Sequence, residues 1–325
     1  MNESNKINME SQTIQKKINE LHQCKQKMME NFGRVIVGQR DVIEELLITV
    51  FAGGHNLLEG VPGLAKTLMI HTLAGMLSLD FKRIQFTPDL MPSDITGTNV
   101  IEEDHTTGKR ITVFVKGPVF TNIILADEIN RTPPKTQSAL LQAMQEREVS
   151  AGGKTYQLAQ PFFVLATQNP IDQEGTYPLP EAQKDRFLMN TFIGYPSLEE
   201  EEEIVERTTM NEEPKVDNVC SREQLMEFQK LIRSIPVSRH VTGYAVDIVR
   251  ATRPSDPSAQ AFIKENLSWG AGPRASQALI LCAKANAALS GQVNVSCSDV
   301  RKHALPILRH RISLSFTAEA EGMTA

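Results

Sequence analysis

A chain of 325 residues with 41% hydrophobic and 22% charged residues can build two cored domains and has the composition of an ordinary globular protein. Its net charge of −5 gives no reason to expect a nucleic-acid polyanion as an obligatory partner. No apolar run reaches the roughly 18–20 residues of a membrane helix, and the polar residues 1–11 do not form a secretory signal. Cys24, Cys220, Cys282 and Cys297 form no C-x-x-C pair, so no metal or disulfide framework is expected. The expectation is a reduced, cytoplasmic protein without membrane insertion.

In chain order, Ile14, Ile18, Leu21 and Met28 recur at helical spacing within residues 9–32. An amphipathic helix is expected there, packing on the next domain or on a neighbouring subunit. Val35, Ile36, Val37, Gly38 and Gln39 break the pattern, and Asp41 can cap a helix running through Val50. A strand at residues 56–58 enters a Gly/Pro-punctuated turn, after which Leu68, Leu73 and Leu77 follow at helical spacing. Residues 81–86 read as a second strand. From Thr87 to Phe120 the pattern is irregular, with hairpin arms at 99–102 and 110–115 around Thr106, Thr107 and Gly108. So long a stretch without a long element reads as a functional insertion.

Residues 122–127 are a continuous apolar run ending in acid, as in a buried parallel strand. A helix at 136–146 follows, with Leu140, Leu141 and Met144 on one side. Next come a hairpin at 148–158 turning at Gly152 and Gly153, and a buried strand at 162–167 closed by Gln168, Asn169 and Pro170. A short helix at 181–186 and a strand at 190–193 lead to Gly194, Tyr195 and Pro196, which read as a boundary. Beyond it, Ser197 with Glu200 and Ser221 with Gln224 form capping boxes, and helical patterns occupy 241–253, 274–290 and 299–309. The run of glutamates at 199–203 reads as a solvated helix face. The expected organisation is an N-terminal helix at 1–33, an α/β core at 34–195 with a parallel sheet flanked by helices, an all-helical domain at 196–316 and a flexible tail at 317–325.

The chemistry centres on Gly60, Val61, Pro62, Gly63, Leu64, Ala65, Lys66 and Thr67. Set between strand and helix, they match the phosphate-loop pattern G-x-x-x-x-G-K-[ST] except that Ala65 stands where Gly is expected. Backbone N–H groups of such a loop cradle a polyphosphate, and the helix N-terminus adds partial positive charge. Lys66 would neutralise the β- and γ-phosphates and Thr67 would ligate Mg²⁺. The Ala65 methyl is a small intrusion provided the residue is helical in φ and ψ. Asp127 and Glu128 end a buried strand as a Walker-B pair, with Asp127 for Mg²⁺ and Glu128 for the attacking water. Asn169, at the end of another strand, can hold that water. Arg186 is a candidate arginine finger for a neighbour's nucleotide, and Arg131 is a second inter-subunit candidate. Arg274 sits where it can fold back on the γ-phosphate, and Trp269 beside it reads as core. His22, His55, His71, His105, His240, His303 and His310 show no metal-binding or catalytic pattern. The residues alone lead to a Mg-ATPase with a helical lid.

The chain resembles the AAA+ ATPases of the MoxR family over residues 34–315. The resemblance is carried by residues 60–67, 85–97, 126–131, 166–170, 179–187 and 272–276, several motifs in the right order. It implies an AAA+ P-loop core with helix-2 and pre-sensor-1 inserts, followed by a lid. By that resemblance Asn169 is sensor 1, Arg186 the finger and Arg274 sensor 2, while Val37, Gly38 and Gln39 line the adenine pocket. The helix-2 insert corresponds to residues 87–97 and the pre-sensor-1 insert to the hairpin at 148–158. The family also implies ATP, Mg²⁺, a homo-hexameric ring and a chaperone-like role in maturing a protein client, with von Willebrand A-domain partners typical. Ala65 is then a variation the family tolerates. A DNA-remodelling AAA+ motor of the helicase or helicase-loader kind shares the insert architecture and asks for basic hairpin tips, where Lys109, Arg110 and Lys154 stand. The acidic chain without a separate DNA-binding domain disfavours it. The Asn-Lys-x-Asp guanine signature is missing, which favours ATP.

Overall fold

The computed structural model describes residues 3–103, 110–151, 153–170, 175–209 and 214–324. Two helices open the chain, α1 (Glu3–Val35) and α2 (Arg40–Ala52). Ile18, Leu21, Met28 and Phe32 of α1 are fully buried, whereas Ile14 is 44% exposed, so the apolar face begins a turn later than the spacing suggests. That face packs on elements of this same chain. Entry to α2 runs through Gln39, which is left-handed at φ 53° and ψ 28°, and not through a cap by Asp41.

The core then runs β1 (Asn56–Glu59), α3 (Lys66–Met76), β2 (Phe81–Gln85), α4 (Pro92–Thr96), β3 (Gly97–Glu103), β4 (Arg110–Lys116) and β5 (Ile123–Asp127). It continues with α5 (Pro134–Glu146), β6 (Glu148–Ala151), β7 (Lys154–Gln157), β8 (Phe163–Gln168), α6 (Glu181–Lys184) and β9 (Met189–Phe192). Five strands form one parallel sheet in the order β2-β5-β8-β1-β9. Strand alternation divides its apolar side chains between two faces. Leu58, Ile123, Leu125, Phe163 and Leu165 join the cluster that holds α1, α2 and α3, while Leu57, Ile124, Ala126, Val164 and Ala166 pack with Leu140, Leu141 and Met144 of α5. Burial on both faces explains why these strands read as continuous apolar runs. The carboxyl ends of β1, β5 and β8 therefore lie side by side, where open α/β sheets meet ligands.

Both expected hairpins form, β3 with β4 and β6 with β7, each antiparallel. Their bases are joined: the Phe114 and Tyr156 rings stack with centroids 4.4 Å apart, and Phe120 packs edge-on to both at 5.9 and 6.2 Å. The expected turn at Thr106, Thr107 and Gly108, with Lys109, lies outside the described residues, as does Gly152.

The second domain holds α7 (Leu198–Thr208), α8 (Arg222–Ser234), α9 (Arg239–Ala251), α10 (Ala261–Asn266), β10 (Leu267–Trp269), α11 (Pro273–Leu289), α12 (Cys297–Lys302), α13 (Ala304–Leu308), β11 (Ser313–Leu314) and α14 (Phe316–Ala320). Ser197 and Ser221 close both expected capping boxes. The domain is not all-helical, because β10 and β11 pair antiparallel. Trp269 in that ribbon is 67% exposed and is not core. Residues 317–324 are more than a frayed tail: Ser315 caps α14 by accepting from Ala318 N, and Ala318 is fully buried. The pattern at 299–309 is split at His303 into α12 and α13. Lid and core share one apolar cluster, in which Leu279, Cys282 and Ala283 of α11 join Leu46 and Phe51 of α2. Among the described residues no helix is long and apolar enough to cross a membrane.

Candidate active site

The loop between β1 and α3 forms one wall of a cavity of about 440 Å³, and Asp127, Glu128, Thr167 and Asn169 form the other. Pro62, Gly63, Leu64, Ala65, Lys66 and Thr67 all line it. Gly63 has φ 89° and nothing within 4 Å of where a Cβ would stand, so the loop leaves open space there. At Gly60 a Cβ would come within 2.7 Å of the Ile193 carbonyl, which fixes glycine at the loop entrance. The Lys66 ammonium donates to the Gly60 carbonyl and, at 3.1 Å, to that of Val61. Burial lowers its pKa, opposed by the nearby Asp127 and Glu128 carboxylates.

Ala65 departs from expectation. It adopts φ 54° and ψ 20°, left-handed rather than helical, at the N-cap of α3. A Cβ in that conformation costs on the order of 1 kcal/mol, which is the physical reason the pattern prefers glycine there.

Asp127 and Glu128 are held by a polar network that motif reading does not reveal. Thr167 Oγ1 donates to Asp127 Oδ1 at 2.6 Å and accepts the Glu128 backbone N–H at 2.8 Å. One hydroxyl thus sets both acids. Arg83 donates through Nε and Nη2 to Asp127 Oδ2 at 3.1 and 2.6 Å. Gln85 Nε2 and Arg131 Nη1 both donate to Glu128 Oε2, at 3.1 and 2.9 Å. Glu128 itself is left-handed at φ 55° and ψ 51°, which turns its carboxylate away from the strand direction. Arg131, expected between subunits, is therefore paired within its own chain. The signal that could have found Arg83, Gln85 and Thr167 is the parallel register: Gln85 lies beside Asp127, and Thr167 follows Ala166, the partner of Ala126.

Val37, Gly38 and Gln39 are absent from the lining of this cavity. They lie against the start of the lid instead. Gln39 Nε2 donates to Gly194 O at 2.9 Å, and a Cβ on Gly38 would collide with the Glu200 carboxylate.

The two candidate arginines are not in the phosphate cavity either. Arg186 and Arg274 line a separate cavity of about 720 Å³ between core and lid. In this structure Arg274 stands away from the phosphate cavity. Its Nη1 instead contacts Asp185 Oδ2 at 3.3 Å, the carboxylate that also takes Arg311 Nε at 2.8 Å. The reason lies in the lid position, since α11 packs on α2 and carries its N-terminus to the α6 side of the core.

Residues 55–189 match the family described as ATPase family associated with various cellular activities (AAA), and residues 259–325 match the AAA lid domain. Chaperone MoxR1 of Mycobacterium tuberculosis is 43% identical over 93% of this chain and 78% of its own. Protein MoxR of Paracoccus denitrificans is 30% identical over 86% of each. The chain belongs to the MoxR family of AAA ATPases. A crystal structure of a Cytophaga hutchinsonii protein superposes on this MoxR chain with TM-score 0.89, at 44% identity, covering 97% of this chain and 95% of the other. The AAA match begins one residue before β1 and ends at the start of β9, so in this MoxR protein it spans the loop, both acids and Arg186.

Proposed function

We propose that this MoxR chain hydrolyses ATP with Mg²⁺ in a homo-hexameric ring and uses the cycle to remodel or mature a protein client. The observation that supports it best is the division of the catalytic set. Lys66, Thr67, Asp127, Glu128 and Asn169 converge on one cavity, while Arg186 and Arg274 line another. On this reading a nucleotide held in the first cavity meets Arg186 of an adjacent copy. Arg274, which shares that second cavity with Arg186, serves the same neighbour on this reading.

The donor set fits the cofactors. The Thr67 hydroxyl and Asp127 carboxylate are hard oxygen donors of the kind Mg²⁺ takes while keeping several waters. Mg²⁺ would neutralise charge on the β- and γ-phosphate oxygens. For Asp127 to serve it, Arg83 must leave the Oδ2 oxygen it now holds. Glu128 orients the attacking water, Asn169 holds it, and Lys66 leaves its loop carbonyls for the phosphates. Val37, Gly38 and Gln39 border the adenine end, where they already touch the core–lid junction.

The client role draws support from the chaperone name of the Mycobacterium tuberculosis relative. On this reading the paired hairpins, joined by Phe114, Phe120 and Tyr156 and exposing Ile101, meet the client, a von Willebrand A-domain protein among the candidates. Four free cysteines accord with a reducing, cytoplasmic setting. Glu128→Gln should bind ATP with turnover reduced at least a hundredfold, and a pull-down with that trapped variant should retain the client. Undiminished hydrolysis would remove Glu128 from the mechanism.

A further inference from the structure

The core–lid cavity is larger than an arginine finger requires, and its character is specific. Arg147 stands on the core wall, and Arg233 and Lys284 on the lid wall. None of the three has an ion-pair partner among the described residues. The one carboxylate lining the cavity, Asp185, is already engaged by Arg311 and Arg274. Val246, Ile280 and Leu281 add apolar lining from the lid side. A groove of this kind suits an amphipathic helix with acidic flanks.

Among the described residues, α7 leaves such a face exposed. In α7, Leu198 and Val205 are 70% and 57% exposed, two turns apart on one face. Glu201 and Glu202 fall between them, Glu199 and Glu206 flank them, and all four are exposed. No residue of α7 is buried.

We infer that α7 of one copy docks in the core–lid groove of the next copy, with Leu198 and Val205 on Val246, Ile280 and Leu281 and the glutamates beside Arg147, Arg233 and Lys284. This rests on the ring reading and adds the contact that sets which face meets which. The placement is consistent along the chain. The first turn of α7 abuts Gly38 through Glu200, beside the expected adenine segment, so α7 and the bound nucleotide face the same neighbour. On that neighbour, Arg186 and Arg274 share one cavity with Arg233 and Lys284. Phosphates meeting the arginine pair would bring the acidic helix to the basic walls.

The test is assembly of the full chain, measured by light scattering with a non-hydrolysable ATP analogue and Mg²⁺. One variant carries Glu199→Lys, Glu201→Lys and Glu202→Lys; Glu200 and Glu203 are kept because they close the cap and pair with Arg207. The other carries Arg233→Glu and Lys284→Glu. Each alone should assemble at least tenfold more weakly than the wild type. An equimolar mixture, or one chain carrying both reversals, should regain assembly, which a merely misfolded variant could not do. A wild type that assembles while both reversals assemble equally well overturns this inference and leaves the ring intact. A wild type that stays monomeric with the analogue overturns the ring and this contact together.

Discussion

Asp185 and Arg311 join the lid to the loop that carries Arg186: Arg311 Nε donates to Asp185 Oδ1 at 2.8 Å, one residue before the candidate finger. The Arg311 side chain is only 3% exposed, and its other nitrogens donate to the Ile307, Phe187 and Leu188 carbonyls. Burial lowers the pKa of Arg311, opposed by Asp185, so the carboxylate offsets much of the cost of burying the guanidinium. Asp185→Ala leaves that charge uncompensated and should destabilise the chain by about 3 kcal/mol, read from urea unfolding. ATP binding in its own cavity should be unchanged, since Asp185 does not line it.

Ala65 stands left-handed where the phosphate-loop pattern calls for glycine. Ala65→Gly removes a strain on the order of 1 kcal/mol and adds a similar loss of unfolded-state restraint. Its thermal midpoint should therefore stay within a few degrees of the wild type, with ATP affinity retained. Ala65→Val, β-branched in the same conformation, should be clearly less stable and bind ATP more weakly in fluorescent-analogue titration.

Thr167 serves both acids with one hydroxyl. Thr167→Val keeps the volume and removes the donor to Asp127 and the acceptor for Glu128 N. The loss should cost about 2 kcal/mol and lower kcat by at least tenfold. Gln85→Ala removes the donor to the Glu128 carboxylate and the acceptor for Arg83 Nη2, so it should lower kcat while leaving the affinity for ATP near the wild-type value.

The histidines His55 and His303 contribute to an acid limit. The Val164 N–H donates to His55 Nδ1 at 2.9 Å, so that nitrogen carries no proton in the fold. Burial holds His55 and His303 each down to about 4. An unfolded chain takes these protons near pH 6.5. Between pH 6.5 and 4 the unfolded state binds more protons, and stability falls as pH falls. It is fully present above that window. Each should cost on the order of 3 kcal/mol by pH 4, roughly twice that for the pair, seen as a falling unfolding midpoint. His55→Gln should flatten that slope.

Much of this architecture was legible because the strands are buried on both faces and their runs of Ile, Leu and Val end at residues that line the cavity, as at Asp127 and Asn169. The two capping boxes were legible for the same local reason, a hydroxyl with an acid or amide three residues on. The β10–β11 ribbon was not, because strands of three and two residues carry no period, and their pairing depends on distant chain segments. Arg83, Gln85 and Thr167 became significant only through the register of β2, β5 and β8. The cavity that Arg274 lines was hidden for a similar reason: its motif fixes where it lies on α11, while the docking of α11 on α2 fixes which cavity it borders.

The central claim is that each ATP site is completed by the next copy's Arg186, and mixing two inactive variants tests it most directly. Glu128→Gln lacks the water-orienting carboxylate, and Arg186→Ala lacks the finger, so each alone should turn over ATP poorly. In mixed rings, an Arg186→Ala subunit with its own Glu128 can sit beside a Glu128→Gln subunit that supplies Arg186. Turnover per site should then rise several-fold above either variant measured alone. A mixture no more active than the sum of its parts, or normal turnover by Arg186→Ala by itself, would contradict the account.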